Sequence, residues 1–474
     1  MRGGIRQCAH LRGPAHDPRQ LHLSWRKGGI TVKELLDKLL SEALALGAED
    51  ADAILTRSKS IDANIYKGEM DEYSHAQVEG VGIRVFMDGR VGYAYSESLA
   101  MEGMAELAAA AVANASISDA DEHASLYVGE AGQSGSVDFD APMEDGKVLA
   151  AIKELYTALD ESELVSDVMR CAAGVGASAV YYANSRGVYL SQGHSHYEVV
   201  AAPIVAKDDY KETGMDFYIA KNMDALDIGT LVEKSLIRGM RYYGAKPTQS
   251  RSCPVIIHHE AIVDLISTFS SIFSAQRALD GLSLLKGKEG ETIAADIVTL
   301  MDSPYSPSYD YTSLFDGEGV PKAERAIIEK GVLNTLLYDV KTANRMGKAP
   351  TGNGHRSYAG VVSIGPNNLK LMPGEDTLDA LAAKAENGVM IYEVSGLHAG
   401  ANATSGDFSL LCKGREIVNG TLGTPFTQAV LSGNFYELLK NIRAVGNDSF
   451  TNPSAAASVT APSVLVDGLT IAGS

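Results

Sequence analysis

The apolar residues that follow residue 30 recur first with a helical and then with a strand-like period. Five leucines between residues 35 and 44 lie on one helix face, and Thr31 with Glu34 forms a capping box in front of them. Strand patterns then cover residues 51–56, 61–66, 72–78 and 82–86, with a hairpin signal at Asp88 and Gly89. An alanine-rich helix is predicted over residues 99–115. These elements predict an N-terminal α+β domain over residues 30–120.

Two further regions follow with different patterns. In residues 121–248, helices predicted over 147–159 and 228–243 flank strands over 178–184, 187–192, 194–206 and 212–219, which predicts a central α+β domain. Residues 249–474 are strand-rich and show only three clear helices, near 259–273, 377–386 and 434–442. We therefore predict an α+β fold. Its N-terminal half is an α/β-sandwich-like arrangement with antiparallel sheets, and its C-terminal half is strand-rich, β-barrel-like and poor in helices.

Residues 1–29 differ from the rest of the chain. They hold six Lys and Arg residues against a single acid, Asp17, and they lack a periodic apolar pattern and the apolar core of a secretory signal. We interpret the segment as an extraneous or disordered basic extension. An organelle transit peptide is the alternative.

Charge and composition exclude several classes of protein. The 474 residues carry a net charge of −19, and without the basic extension the remaining 445 residues carry −24. Such a chain repels phosphate backbones, so we expect no direct nucleic-acid contact. No apolar run approaches the length of about 20 residues that crosses a bilayer, so we expect no membrane contact. The four cysteines are far apart and form neither a disulfide framework nor a zinc ribbon.

One segment has the residue types of a metal-dependent hydrolase. His258, His259 and Glu260 stand where a short apolar strand gives way to a helix. In zinc peptidases, imidazoles bind the metal and an adjacent Glu is the general base for the metal-bound water. The usual second His, four residues after the first, is replaced by Val263. Asp264 lies about 140° around an ideal helix from His259 and could share a metal with it only through a π-bulge.

A simpler interpretation of this segment stays open. Glu260 stabilises the first turn of the helix, the two histidines are incidental, and Asp264 is solvated.

The C-terminal half also carries a colinear series of short motifs. They include Phe315-Asp316-Gly317-Glu318-Gly319, Pro350-Thr351-Gly352-Asn353-Gly354, Ser405-Gly406-Asp407-Phe408-Ser409 and Val445-Gly446-Asn447-Asp448. In this order they resemble the TldD/PmbA family, whose members are also named modulators of DNA gyrase. The similarity extends over nearly all of residues 30–473.

The resemblance distinguishes two branches of that family. The TldD branch has His-Glu-x-x-x-His and a Cys ligand near the C-terminus. Here His259 and Glu260 match the first part, whereas Asp264 and Asp448 stand at the positions of the second His and the Cys. The motifs therefore resemble the PmbA branch, also called TldE. The resemblance implies a degenerate metal site with His259, Asp264 and Asp448 as ligands and Glu260 as catalytic base, and zinc held by a partner subunit rather than by this chain.

The function implied by the resemblance is peptide processing in the cytoplasm. This chain would be the non-catalytic PmbA/TldE-like subunit of a metallopeptidase complex, paired with a TldD-like subunit or with a second copy of itself, and its substrates would be unfolded peptides. Two alternatives stay open. One is a self-sufficient metallopeptidase that uses the degenerate site, and the other is a peptide-binding module without catalysis.

Two further groups of residues are candidates for binding. Thr351, Gly352, Asn353 and Gly354 could offer backbone N–H groups to a peptide. His194 and His196 alternate along a predicted strand and could meet one metal, although a solvated strand face has the same pattern.

Overall fold

The computed structural model describes residues 31–137, 139–452 and 457–473. The basic extension predicted over residues 1–29 lies outside these described residues.

The N-terminal half is built on one antiparallel sheet of seven strands. The strands are β1 (Asp50–Tyr66), β2 (Glu69–Met87), β3 (Arg90–Ser96), β4 (Val165–Asn184), β5 (Tyr189–Lys207), β6 (Tyr210–Thr213) and β7 (Asp216–Ala220). Their order is β3-β2-β1-β4-β5-β6, and β7 also pairs with β5. The sheet takes strands from both sides of residue 120, and the division into separate domains there stays a prediction.

Four helices cover one face of this sheet. They are α1 (Val32–Ala45), α2 (Met104–Ile117), α3 (Asp145–Asp160) and α4 (Ile228–Met240), with a 3₁₀ turn at Met101–Gly103. Alternate residues of β1, such as Ala53, Leu55 and Ile61, are buried against these helices. Because successive side chains of a strand point to opposite faces, the intervening residues, such as Asp52 and Ile54, face away from the helices.

The sequence pattern divided β2 into two strands, whereas the structure has one. The difference arises at Gly80 and Gly82, which break the apolar alternation but stay in the ladder with β1. A Cβ atom at Gly82 would lie 1.9 Å from the carbonyl oxygen of Tyr358. Only glycine allows this close approach of the C-terminal half, so these residues mark packing rather than a strand end.

The C-terminal half contains a closed five-stranded barrel. Its strands are β8 (Arg251–Ile257), β17 (Gly388–Ser395), β18 (Asp407–Val418), β19 (Thr421–Asn434) and β23 (Val464–Ala472). They follow the order β19-β18-β17-β8-β23, and pairing of β19 with β23 closes the ring. The strand β20 (Ile442–Val445) adds to β23. The β-barrel-like prediction for this half is confirmed.

A second, six-stranded sheet packs beside the barrel. It contains β9 (Leu300–Ser303), β12 (Arg325–Glu329), β13 (Val332–Leu333), β16 (Asn368–Leu371), β21 (Phe450–Asn452) and β22 (Val459–Ala461). Two small hairpins complete the strands: β10 (Tyr305–Ser306) with β11 (Tyr311–Thr312), and β14 (Gly354–His355) with β15 (Ser363–Ile364).

Six helices occur in the described part of this half. They are α5 (His259–Phe269), α6 (Ala275–Leu279), α7 (Val340–Met346), α8 (Leu378–Ala385), α9 (Leu397–Gly400) and α10 (Phe435–Lys440), with a 3₁₀ turn at Ser270–Phe273. The three predicted helices correspond to α5 with its 3₁₀ turn, α8 and α10. The shorter α6, α7 and α9 were missed because they span at most two turns and show no helical period. Among the described residues, no helix is long and apolar enough to cross a membrane.

Candidate functional site

The helix α5 begins directly after a barrel strand. The strand β8 ends at Ile257, and His258 caps the helix, its Nδ1 accepting the N–H of Glu260 at 3.4 Å. The apolar residues Ile262, Leu265 and Ile266 are buried in the core, which holds the helix in place. The tight connection presents His259 and Glu260 in the first turn, as the sequence predicted.

His259 meets Asp448. Its Nδ1 lies 2.6 Å from Asp448 Oδ2, and Ser463 supports both residues. The Ser463 hydroxyl donates to Asp448 Oδ2 at 2.7 Å and accepts the backbone N–H of His259 at 2.9 Å. Burial disfavours the charged carboxylate, but hydrogen bonds from His259 and Ser463 outweigh it and lower the pKa of Asp448 to about 2. Asp448 is therefore an ionised partner of His259.

Glu260 is held by two arginines. Arg241 contacts both of its carboxylate oxygens, and Nη2 of Arg238 lies 2.9 Å from Oε1. Arg238 also donates to Asp216 of β7 at 2.5 Å. Burial opposes ionisation of Glu260, but the two guanidinium groups dominate and lower its pKa to about 2. The carboxylate is a fixed anion that joins the N-terminal sheet, α4 and α5.

Asp264 takes a different partner. It lies on the same regular α-helix, without a π-bulge, and accepts a hydrogen bond from Asn452 at 2.8 Å. No cation pairs with it among the described residues, and burial raises its pKa to about 6. Asp264 and Glu260 line a cleft of about 430 Å³ with the aromatic residues Phe217, Tyr242, Tyr392 and Phe450. We call this space the Glu260 cleft.

The histidines and acids of this site fit a metal ion poorly. Within the described part of the chain, the only group of three or more His, Cys, Asp or Glu residues with ligand atoms within 4.8 Å of one another is His258, His259 and Glu260. Both oxygens of Glu260 are engaged by guanidinium groups, whose positive charge repels a cation. With both oxygens engaged in this way, Glu260 is poorly disposed to ligate a metal or to accept a proton from metal-bound water, so the donor set fits a catalytic zinc centre poorly.

The predicted ligand set is only partly assembled. His259 and Asp448 are in contact, whereas Asp264 bonds to Asn452. The set of His259, Asp264 and Asp448, with Glu260 as base, stays a prediction that metal analysis would test.

The predicted peptide-binding loop is engaged within the protein. Asn353 is buried and donates to Asp302 at 2.8 Å, and the N–H of Gly354 donates to Asp316 at 2.8 Å. The hydroxyl of Thr351 accepts the N–H of Tyr338 at 2.8 Å, and Gly352 has a positive φ of 73°. A role for these residues in peptide binding stays a prediction.

His194 and His196 lie on one face of β5, as predicted, but they contact aromatic rings. Their ring centroids are 6.0 Å apart. Tyr309 lies against both rings and Tyr311 against His194, with centroid distances of 4.7 to 5.4 Å. Burial lowers the pKa of His194 to about 4.

Sequence reasoning missed a buried charge network between the two halves, which we call the junction network. Arg84 of β2 donates to Asp52 of β1 at 2.5 Å and to Glu318 at 2.7 Å, and Arg356 donates to Asp52 at 2.6 Å. These four side chains are at most 5% exposed. The acid–glycine alternation at Asp316-Gly317-Glu318-Gly319 was a signal in the sequence, because Glu318 belongs to the network, but it did not indicate the distant arginine partner.

Two domain models of one protein family together match most of the described residues. The model described as "PmbA/TldA metallopeptidase C-terminal domain" matches residues 250–473, and "PmbA/TldA metallopeptidase domain 1" matches residues 51–115. A relative from Haemophilus influenzae, named metalloprotease PmbA homolog, is 23% identical over 89% of this chain and 92% of its own length.

Solved structures agree in fold. A proposed modulator of a DNA gyrase from Thermotoga maritima has a TM-score of 0.83 and 29% identity, covering 93% of this chain and 100% of its own. TldE from Thermococcus kodakarensis has the same TM-score and coverage at 23% identity, which shows the fold alone. With the motif order and the fold in agreement, this chain belongs to the PmbA/TldD metallopeptidase family.

Proposed function

We propose that this chain is the non-catalytic, PmbA/TldE-like subunit of a peptide-processing complex whose metal centre lies in a TldD-like partner. The observation that carries the proposal is the pairing of Glu260 with Arg238 and Arg241. A general base in a metallopeptidase must accept a proton near neutral pH. A carboxylate with its pKa lowered to about 2 and both oxygens bonded to guanidinium groups is a weak base.

A path for an extended peptide supports the peptide-binding part of the proposal. Cavities of about 760, 220 and 450 Å³ and then the Glu260 cleft lie in succession along β4, from Val180 through Gly176 and Gly174 to Met169. Gly174 and Gly176 carry no side chains of their own, and Asp62 and His196 from the neighbouring strands lie against them. The twelve residues from Met169 to Val180 span about 36 Å, enough for an extended segment of similar length. Because β4 is paired with β1 on one side and with β5 on the other, such a segment would be held by the side chains that line the cavities rather than by strand addition.

Metal analysis of the chain alone tests the non-catalytic role. We expect well under one equivalent of zinc after purification, and no change in His259→Ala. One equivalent in the wild-type chain that is lost in His259→Ala would overturn the proposal and favour a self-sufficient peptidase. Circular dichroism of the variant confirms that a loss does not reflect unfolding.

Co-expression with a TldD-like partner tests catalysis in the complex. We expect the complex to cleave a labelled unstructured peptide. His259→Ala and Asp264→Asn in this chain should leave kcat within about twofold, whereas replacement of the partner's own His-Glu glutamate should abolish cleavage. A hundredfold loss from either change in this chain would overturn the non-catalytic assignment. Absence of cleavage in any pairing would favour a binding module.

A further inference from the structure

The largest of the cavities along β4 lies at the junction of the two halves and carries positive charge. This space of about 760 Å³ is lined by Ile54 and Val180 of the sheet and by Asp316, Lys322, His355 and Arg356 from the C-terminal half. We call it the Lys322 cavity. It lies at the opposite end of the β4 path from the Glu260 cleft.

Arg356 presents an unused hydrogen-bonding edge. Its side chain is 2% exposed, and its Nη1 is bonded to Asp52. Its Nε and Nη2 atoms are buried and find no hydrogen-bond partner among the described residues. These two N–H groups form the parallel pair of donors on one side of a guanidinium group, which matches the two oxygens of a carboxylate. Buried donors of this kind are rarely left unsatisfied, so the edge points to a missing acceptor.

Lys322 adds a second cation to the same cavity. No ion pair or side-chain hydrogen bond of Lys322 is found within the described ranges. The nearest acids do not neutralise it by contact: Asp316 accepts the N–H groups of Glu318, Val320 and Gly354 at 2.8 to 3.0 Å. Burial lowers the pKa of the Lys322 ammonium, and the attraction of the nearby Asp316 and Asp302 carboxylates offsets this only in part.

His355 does not contribute positive charge. Its Nε2 donates to the carbonyls of Gly365 and Pro366 at 3.0 and 3.1 Å, and burial lowers its pKa to about 4. The cavity therefore offers one ammonium and one free guanidinium edge to an anion, in a wall that is otherwise neutral or internally bonded.

We propose that the Lys322 cavity binds a carboxylate of the peptide, foremost its C-terminal carboxylate, through Lys322 and the Nε–Nη2 edge of Arg356. The planar, two-oxygen shape of a carboxylate fits the guanidinium edge, and the position at one end of the β4 path suits a chain terminus. The proposal rests on the proposed function in that the ligand is a peptide. It adds a polarity: the C-terminus of the substrate lies at the junction of the halves, and its upstream residues run toward the Glu260 cleft.

Binding of three labelled ten-residue peptides to the full chain tests the proposal. The peptides share one unstructured sequence and end in a free carboxylate, in an amide, or in an amide preceded by a glutamate. We expect the free acid to bind at least tenfold more tightly than the plain amide, against the repulsion expected from a chain of net charge −19. If the glutamate peptide binds as the free acid does, the cavity accepts any carboxylate. If it binds as the amide does, the cavity requires a chain terminus.

Variants test which residues cause the preference for a free carboxylate. Lys322→Gln should reduce the tenfold ratio to below about twofold, and Arg356→Lys should do the same by removing the paired donors. Lys370→Gln, at an exposed lysine of β16, is the matched control and should keep the ratio. Lys322→Gln removes no described contact, so it keeps the test valid if Arg356→Lys does not fold.

Three results would overturn the proposal: equal affinities of acid and amide for the wild-type chain, a tenfold ratio that survives Lys322→Gln, or no binding of any peptide. Binding is measured without cleavage, so the two proposals fail separately. An acid preference without cleavage in any complex would remove only the proposed function.

Discussion

Glu260 and Arg356 belong to two clusters of buried charge that are completed to different degrees. In the first, a single carboxylate meets two guanidinium groups, and Arg238 is satisfied further by Asp216. In the second, Arg356 is bonded through Nη1 alone, and Lys322 beside it has no partner among the described residues. A closed cluster has no capacity left for a ligand and acts as a structural joint. An incomplete cluster next to a cavity has both donors and room.

The same comparison shows that an ionisable residue near a cleft can either be held in a structural ion pair or be free to bind a ligand. Glu260 stands at the position of a catalytic base in the motif, yet its partners hold it as a permanent anion. Lys322 belongs to none of the motifs from which the family resemblance was drawn, yet its surroundings leave it free to bind. Partners, more than residue type, decide which of the two can do chemistry.

The largest loss of stability is expected when a cation is removed from the junction network. Arg84→Met removes the cation between Asp52 and Glu318 and leaves two buried carboxylates under-compensated. We expect the free energy of unfolding to fall by about 3–5 kcal/mol in urea denaturation. Arg186→Met, which breaks an exposed bidentate pair with Asp50, is the control and should cost less than about 1 kcal/mol. Similar losses in both variants would contradict a special role for the buried network.

Glu260→Gln should cause the next largest loss of stability, and the size of that loss should depend on pH. The folded pKa lies near 2, below the ordinary value of 4.5, so ionised Glu260 stabilises the fold at pH values above about 4.5. The variant should lose about 3 kcal/mol at pH 7, and its deficit should shrink as the pH falls from about 4.5 toward 2. Urea denaturation at pH 7, 4 and 3 measures this. A deficit that does not change with pH would show that the two arginines do not hold the charge.

Asp264→Asn should change stability in the opposite direction. The folded pKa of Asp264 is raised from 3.8 to about 6, so its contribution is favourable below pH 3.8 and is lost as the pH rises through 6. The neutral variant should therefore be more stable than the wild type by up to about 2 kcal/mol at pH 8, with no gain at pH 4. Denaturation at the two pH values is the measurement. A loss of stability at pH 8 would indicate that the carboxylate is paired with a cation, as in the degenerate metal site.

The smallest effect is expected from Lys322→Gln. Because the side chain has no described partner, its removal breaks no contact and relieves the desolvation of a charge. We expect a change in the free energy of unfolding of at most about 1 kcal/mol, neutral or favourable. A loss above 2 kcal/mol would show that Lys322 is part of the junction network, and the contrast between the two clusters would then disappear.

Local sequence patterns correctly predicted individual helices of the fold, including the one that carries the site. The capping box of α1 is present as predicted, with Thr31 and Glu34 bonded to each other. The buried stripe of α5 was also correct, because Ile262, Leu265 and Ile266 recur at the helical period. Such features depend on residues within one or two turns, which a sequence displays directly.

The partners of the charged residues could not be predicted in the same way. The Nη1 atom of Arg356 bonds to Asp52 across 304 residues, and Nδ1 of His259 bonds to Asp448 across 189. Motif position indicated the second of these pairs through the family resemblance, but nothing local indicated the first. Glu260 illustrates the same limit, because Arg238 and Arg241 stand at the end of a helix in the other half of the molecule.

The sequence by itself determined the kinds and order of the main elements, the start of α5 at His259, and membership of the family through the order of its motifs. Hydrophobic period, capping and turn chemistry act over short distances along the chain, so they can be read from it. Tertiary structure alone decided that Glu260 is neutralised by two arginines and that Arg356 and Lys322 are left open at a cavity. Those outcomes depend on which distant charges meet in a buried place, where the low dielectric makes each pairing, or its absence, decisive.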